Sequence, residues 1–244
     1  MTAISTHRTA KETMEGDGVT VRRLMPISGF MNFDPFALWD HFTIQPSNGF
    51  PDHPHRGFEA ITYVFSGSMN HTDNLGNSST VNSGGAQRFT AGSGIIHSEM
   101  PGEQGETTGI QLWINLPQRL KSIAPDYQQV DALDIPQGNF KHGIVRYIVG
   151  QKSPLILQTE VEYRDIQFTS AGDYLTEVSA SYQGFIYIAA GQVTAQDKIL
   201  KTGDALFLSQ IQNLSITGKK DARVMFCIGL AHGEKMHQHG SYVD

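Results

Sequence analysis

Apolar and polar positions alternate along this chain in short runs. Val19-Thr20-Val21-Arg22-Arg23 switches character residue by residue, and from Phe58 to Gly109 brief apolar runs are interrupted by Gly, Asn and Ser at regular intervals. A period of two places successive side chains on opposite faces of a strand, whereas an amphipathic helix needs apolar positions every three or four residues over a long stretch. The pattern therefore predicts an all-β chain of many short strands joined by turns, built as a sandwich or barrel. The stretch from Pro117 to Gly138 breaks the pattern with Gln, Pro and charge, and strand-like runs resume at Ile144. A linker is expected there, separating domains at 1–125 and 126–244.

A faint internal repeat supports two copies of one β-domain. Glu59-Ala-Ile-Thr-Tyr-Val-Phe-Ser-Gly67 resembles Gln183-Gly-Phe-Ile-Tyr-Ile-Ala-Ala-Gly191, and each is followed by a glycine, Gly85 or Gly203, that opens a further strand. The loop between is shorter in the second copy, as a trimmed hairpin would make it.

Composition narrows the function classes. A net charge of −6 provides no electropositive field for a phosphate backbone, so direct nucleic-acid binding is not expected. The single cysteine, Cys227, excludes an intrachain disulfide and favours a reducing compartment; within Val224-Met225-Phe226-Cys227-Ile228 it reads as core. No secretory leader and no apolar run of ~18 residues is seen, so a cytoplasmic protein without a membrane span is expected.

Chemistry concentrates in two segments. In Phe50-Pro-Asp-His-Pro-His-Arg-Gly-Phe-Glu59, His53 and His55 stand at i and i+2, so on a strand they share a face ~6.6 Å apart. Gly92-Ser-Gly-Ile-Ile-His97-Ser-Glu99 repeats the spacing with His97 and Glu99. Two such pairs facing each other across a barrel would offer three imidazoles and one carboxylate. This donor set suits a divalent first-row ion and leaves coordination positions open; Fe(II) is favoured, with Mn, Ni, Co, Cu or Zn as alternatives. A carboxylate beside apolar Ile95 and Ile96 is costly to bury without a cation, which strengthens the metal reading over ordinary histidines. The second copy holds no equivalent: the matching positions are Glu177 and Ser179, and Ser209, Gln210 and Gln212 follow Gly203. His232, His237 and His239 read as solvated.

In order and spacing, Asp34-Pro-Phe36, Gly49 to Glu59, Thr90-Ala-Gly-Ser-Gly-Ile-Ile-His-Ser-Glu-Met-Pro101 and Gln111-Leu-Trp-Ile-Asn-Leu-Pro117 resemble the pirin family of bicupins. The likeness covers roughly residues 19–130 and extends more loosely into the second half. It implies two β-barrel or jelly-roll cupin domains, with a metal site only in the N-terminal one, held by His53, His55, His97 and Glu99. Cupins in general use a glutamate near Glu59 as a ligand, and strand parity would turn Glu59 toward the metal. The pirin resemblance assigns the fourth ligand to Glu99 and leaves Glu59 beside the site. Arg56 reads as a solvated rim residue or, as the alternative, as the partner of a carboxylate. The chain departs from the family pattern at Gly240-Ser-Tyr-Val-Asp244, where pirins carry a Gly-Pro-Phe-Val-Met-Asn-like segment.

The resemblance implies a dioxygenase that cleaves a flavonol such as quercetin with O2 and releases carbon monoxide. Glu99 is the expected general base, and Trp113 is either core or a stacking surface for an aromatic ligand. The alternative it implies is a non-enzymatic, redox-sensing regulator that binds a transcription factor or a metabolic enzyme.

Overall fold

The computed structural model describes residues 4–102, 105–150, 152–210 and 212–244. Among them regular structure is strand throughout except for a single 3-10 turn, Gln118–Leu120, and no helix is long and apolar enough to cross a membrane. The strands of the first half are β1 (Ile4–Thr9), β2 (Lys11–Glu15), β3 (Val19–Met25), β4 (Phe36–Ile44), β5 (Phe50–His55) and β6 (Phe58–Ser66), then β7 (Ser68–Asp73), β8 (Ser78–Asn82), β9 (Ala86–Thr90), β10 (Ile95–Pro101), β11 (Thr107–Asn115) and β12 (Asp126–Val130). Those of the second half are β13 (Gln137–Phe140), β14 (Gly143–Val149), β15 (Val161–Phe168), β16 (Gly172–Glu177) and β17 (Tyr182–Ala190), then β18 (Gln192–Ala195), β19 (Lys198–Lys201), β20 (Asp204–Ser209), β21 (Asn213–Gly218) and β22 (Arg223–Leu230). A last short pair, β23 (Gln238–His239) and β24 (Tyr242–Val243), closes the chain.

These strands form two compact units. One comprises Lys11–Ile135, Leu157–Thr159 and His232–Asp244; the other comprises Met1–Ala10, Pro136–Ile156 and Glu160–Ala231. The division differs from a single cut at residue 125, because strand pairing ignores distance along the chain. β12 pairs with β9, β1 pairs with β20, and β24 bridges back to Arg56.

The first unit is a sandwich of a seven-stranded sheet, ordered β12-β9-β6-β11-β4-β3-β2, and a four-stranded sheet, ordered β5-β10-β7-β8. The register of the larger sheet explains its interior. Leu38, Trp113, Ala60 and Phe89 are successive cross-strand partners on β4, β11, β6 and β9, and all pack in one buried cluster. Four residues along β4, Phe42 opposes Val21 of β3 and packs in a second buried cluster with Val21 and Val64. Gly109 opposes Phe42 on its other side, and a Cβ there would lie 2.6 Å from the Phe42 ring, so only glycine admits that ring. Between these apolar rows the pleat sets one polar row across six strands: Arg23, Asp40, Gln111, Thr62, Gln87 and Gln129. Unlike its neighbours, this row must be satisfied by hydrogen bonds.

The second unit repeats the architecture, with a seven-stranded sheet β1-β20-β17-β22-β15-β14-β13 and a four-stranded sheet β16-β21-β18-β19. Among the described residues its interior contains no comparable row. Ile166, Ile186, Ile188, Leu206, Leu208, Val224 and Phe226 fill it together with Leu214 and Ile216 from the smaller sheet. Cys227 is fully buried on β22, and desolvation pushes its thiol well above the ordinary range, which keeps it inert.

Candidate metal centre

β5 and β10 are antiparallel neighbours in the four-stranded sheet, with His97 directly opposite His53 and Ile95 opposite His55. The two histidine-bearing segments therefore lie side by side in one sheet instead of facing each other across the barrel. Both carry their donors on the inner face, so the i, i+2 argument holds while its geometry changes. A register shift between His97 and Glu99 carries the Glu99 carboxylate beyond the end of the His53 pairing.

The three rings converge. His53 lies 4.5 Å from both His55 and His97 by ring centroid, and His55 lies 5.0 Å from His97. Nε2 of His97 stands 3.1 Å from Nε2 of His53. One nitrogen from each ring lies within 4.8 Å of the other two, making the three histidines a group able to hold a metal ion. His53 is partly exposed; His55 and His97 are buried among Phe58, Phe89 and Trp113.

Hydrogen bonding selects the tautomer. Nδ1 of His53 donates to the Pro51 carbonyl at 2.8 Å, and Nδ1 of His55 donates to the Ser241 carbonyl at 3.0 Å. A carbonyl accepts only, so both rings carry the proton on Nδ1 and present a bare Nε2 inward. Desolvation, reinforced by the neighbouring His53, lowers the His55 pKa to about 3, and burial holds His97 well below its ordinary value. These two rings are neutral at pH 7, the form that ligates a metal. A cation fits this donor set: without one, nitrogen lone pairs crowd a small buried volume while Nδ1 of His97 finds no partner.

The Glu99 carboxylate reaches from β10 to the polar row of the opposite sheet. Its Oε1 accepts from Thr62 Oγ1 at 2.7 Å and Gln87 Nε2 at 2.6 Å, whereas Oε2 takes only a 3.3 Å contact from Gln111. Oε2 is thus the oxygen left for another donor or a cation. Tyr127, its pKa pushed up to about 12 by burial, keeps its proton and donates to Gln87 Oε1 at 2.9 Å, which turns the Gln87 amide nitrogen toward Glu99. Glu99 is not in the mutually close histidine group, but it lines the same cavity.

Glu59 lies elsewhere. Thr62, three residues along β6, reaches Glu99 in the interior, so Glu59 occupies the opposite face, where it accepts from Thr90 Oγ1 at 2.8 Å and from the Gln158 and Thr159 amides at 2.9 and 3.3 Å. Counting parity from His55 fails because Gly57, at φ +82°, interrupts the alternation between β5 and β6. A side chain there is also excluded by space, since a Cβ would lie 1.9 Å from the Val243 carbonyl.

Other sequence candidates take structural places. Trp113 packs in the core against Phe58 at 4.1 Å and also lines the cavity; Arg56 is exposed and forms a two-pronged ion pair with Asp244 at 3.0 and 2.8 Å. His237 and His239 are exposed, and neither they nor His232 joins a ligand group among the described residues. Glu177 and Ser179 of the second unit are exposed. His71, unremarked in the sequence, is buried on β7 opposite Glu99, stacks on Tyr127 at 4.3 Å and contacts Asp73 at 3.1 Å. Its spacing to Asp73, i and i+2 again, was the available signal.

The cavity in front of the histidines encloses roughly 510 Å³ and is lined by Leu38, Phe42, Phe50, Met69 and Trp113, with Gln111, Arg23 and Asp40 as polar groups. Two β-sandwich units, one with three histidines able to hold a metal ion beside a cavity and one with an apolar interior, define a bicupin. Residues 18–114 match the family described as pirin, and residues 149–227 match the quercetinase C-terminal cupin domain. The chain is 35% identical to a pirin-like protein of Solanum lycopersicum over 96% of its own length and 84% of that protein's, and 34% identical to human pirin over the same shares. It superposes on a quercetin 2,3-dioxygenase from Acinetobacter baumannii with a TM-score of 0.89 at 25% identity, covering 100% of this chain and 90% of that one. The chain belongs to the pirin family.

Proposed function

We propose that this pirin is a metal-dependent dioxygenase that cleaves a flavonol such as quercetin, with His53, His55, His97 and Glu99 as the ligand set and Fe(II) as the ion. The observation carrying this reading is the convergence of three histidines, two of them lining an aromatic-walled cavity that also holds the Glu99 carboxylate, whose Oε2 takes only a 3.3 Å hydrogen bond from Gln111. A borderline nitrogen and oxygen donor set suits iron. When bound, the ion supplies Lewis acidity toward the substrate's 3-hydroxyl oxygen and a meeting point for O2.

The chain's own residues do the rest. Glu99 Oε2, once released from the ion, receives the 3-hydroxyl proton as general base, while Thr62 and Gln87 hold Oε1 and so fix the direction in which Oε2 points. Leu38, Phe42 and Trp113 bury the planar rings and exclude water, and the carbonyls of Pro51 and Ser241 keep His53 and His55 in the ligating tautomer. Both oxygen atoms of O2 enter the depside product, one ring carbon leaves as carbon monoxide, and the substrate supplies the electrons. A single inert cysteine suits a reducing, cytoplasmic setting.

The test is oxygen consumption and carbon monoxide release from quercetin by protein reconstituted with Fe(II), Mn(II), Ni(II) or Zn(II), alongside His97→Ala. Metal-dependent carbon monoxide, abolished in the variant, is expected. Its absence from every reconstituted form would overturn the assignment.

A further inference from the structure

The polar row on which Glu99 rests runs on past Gln111. Within the next two strands it terminates in Asp40 and Arg23, a cross-strand pair in the wall of the same cavity. Asp40 is 4% exposed and takes both Nε and Nη2 of Arg23, at 2.9 and 2.6 Å. Glu15 at the rim takes Nη2 a second time at 2.7 Å. Nη1 has no protein acceptor among the described residues, and the side chain is 16% exposed. Burying such a pair is expensive, and an apolar pair would pack the barrel at least as well. A register contact between β3 and β4 alone does not explain a guanidinium held rigidly with one nitrogen unspent.

We infer that Arg23 is a specificity-determining residue that binds a polar group on the far end of the substrate, with Asp40 as the residue that positions it. The inference rests on the dioxygenase reading above. Adjacent strands are ~4.8 Å apart, so Arg23 stands ~10 Å along the row from Gln111, the residue touching Glu99. That separation matches the span of a fused-ring aromatic whose reacting hydroxyl is at Glu99. Arg23, Asp40 and Glu15 together carry one positive and two negative charges, so the end group taken is a neutral phenol: it accepts from Nη1 and donates to a carboxylate, whereas an anionic group is repelled. The substrate class is a flavonol hydroxylated on an outer ring.

The test is calorimetric titration, under argon and with the zinc-loaded protein, of quercetin and of 3-hydroxyflavone, which carries the reacting hydroxyl alone. The intact protein is expected to prefer quercetin by about tenfold or more, the worth of one charge-assisted hydrogen bond. Arg23→Gln should bring the ratio of the two dissociation constants close to one. Because this change strands a buried Asp40, the double variant Arg23→Met, Asp40→Leu is measured alongside, with cooperative melting as proof of folding. A structural pair would shift melting and leave the ratio alone, so a ratio that persists in the folded double variant overturns the inference. Tighter binding of a quercetin sulfated on an outer ring would also overturn it. Binding of neither flavonol by the intact protein would overturn the flavonol reading itself, a result distinct from an unchanged ratio.

Discussion

Nδ1 of His55 is hydrogen-bonded to the carbonyl oxygen of Ser241 at 3.0 Å, across 186 positions of sequence. The Ser241 segment is thereby joined to the histidine cluster. The Val243 amide donates to the Arg56 carbonyl at 3.1 Å, Lys121 Nζ donates to the Val243 carbonyl at 2.7 Å, and the Val243 side chain is buried in the cluster that surrounds His55. Each contact holds the Ser241 carbonyl where it fixes the His55 tautomer.

This contact predicts the effect of Gly57→Ala. A Cβ at residue 57 would overlap the Val243 carbonyl, at 1.9 Å, on a backbone of φ +82° that disfavours any side chain, so the last strand must move. Losing an outer hydrogen bond to a ligating histidine costs about 10- to 100-fold in metal affinity. Competitive zinc titration should show that weakening; unchanged affinity in folded Gly57→Ala would show that the last strand does not hold His55.

The two glutamates should separate cleanly. Glu99→Gln removes the proposed base and is expected to lower turnover by about 10²- to 10⁴-fold. Glu59→Gln keeps an acceptor for the Gln158 and Thr159 amides and should retain both metal and turnover, whereas Glu59→Ala leaves buried donors unpaired and should cost about 1–3 kcal/mol in a denaturant melt. Metal loss in Glu59→Gln would contradict the placement of Glu59 on the outer face.

The contrast between these two residues shows what was legible in the sequence. The convergence of His53, His55 and His97 is visible because the i, i+2 spacing is local, and a period of two needs only the strand to be recognised. Glu59 was misdirected by counting parity through Gly57, a turn that breaks the alternation. The polar row was illegible for a different reason: Arg23, Asp40, Gln111, Thr62 and Gln87 come from five strands, and they align only once the cross-strand register is known. The same holds for Ser241 beneath His55 and for β1 in the sheet of the second unit, both products of pairing over more than 180 residues.

The row also predicts a graded effect behind Glu99. Tyr127→Phe removes the donor that orients the Gln87 amide but leaves Thr62 on the same carboxylate oxygen. Turnover should fall only a few-fold, while Gln87→Leu, which removes a donor to Glu99 outright, should fall about tenfold or more. Steady-state rates on metal-replete protein check the order; a larger loss in Tyr127→Phe than in Gln87→Leu would refute the direction of the chain.

Acid should loosen the second unit at Asp204. Burial works against its charge, but the Lys201 amide at 2.9 Å, Thr9 Oγ1 at 2.7 Å and His7 at 3.1 Å outweigh that, and its folded pKa lies below the ordinary 3.8. A carboxyl whose folded pKa is depressed stabilises fully above its unfolded pKa, and the contribution disappears as pH falls through the folded value. The effect is therefore present at pH 7, begins to fall near the unfolded pKa of about 4 and is lost as pH drops through the lower folded value. Because Thr9 and His7 belong to β1, its loss should free that strand first. Asp204→Asn should lower stability by about 1 kcal/mol at pH 7 and show a shallower decline between pH 5 and pH 3 than the unaltered chain. Hydrogen exchange of the β1 amides across this range measures it directly, and protection that is independent of both pH and Asp204 would mean that β1 is held by its backbone ladder to β20 alone.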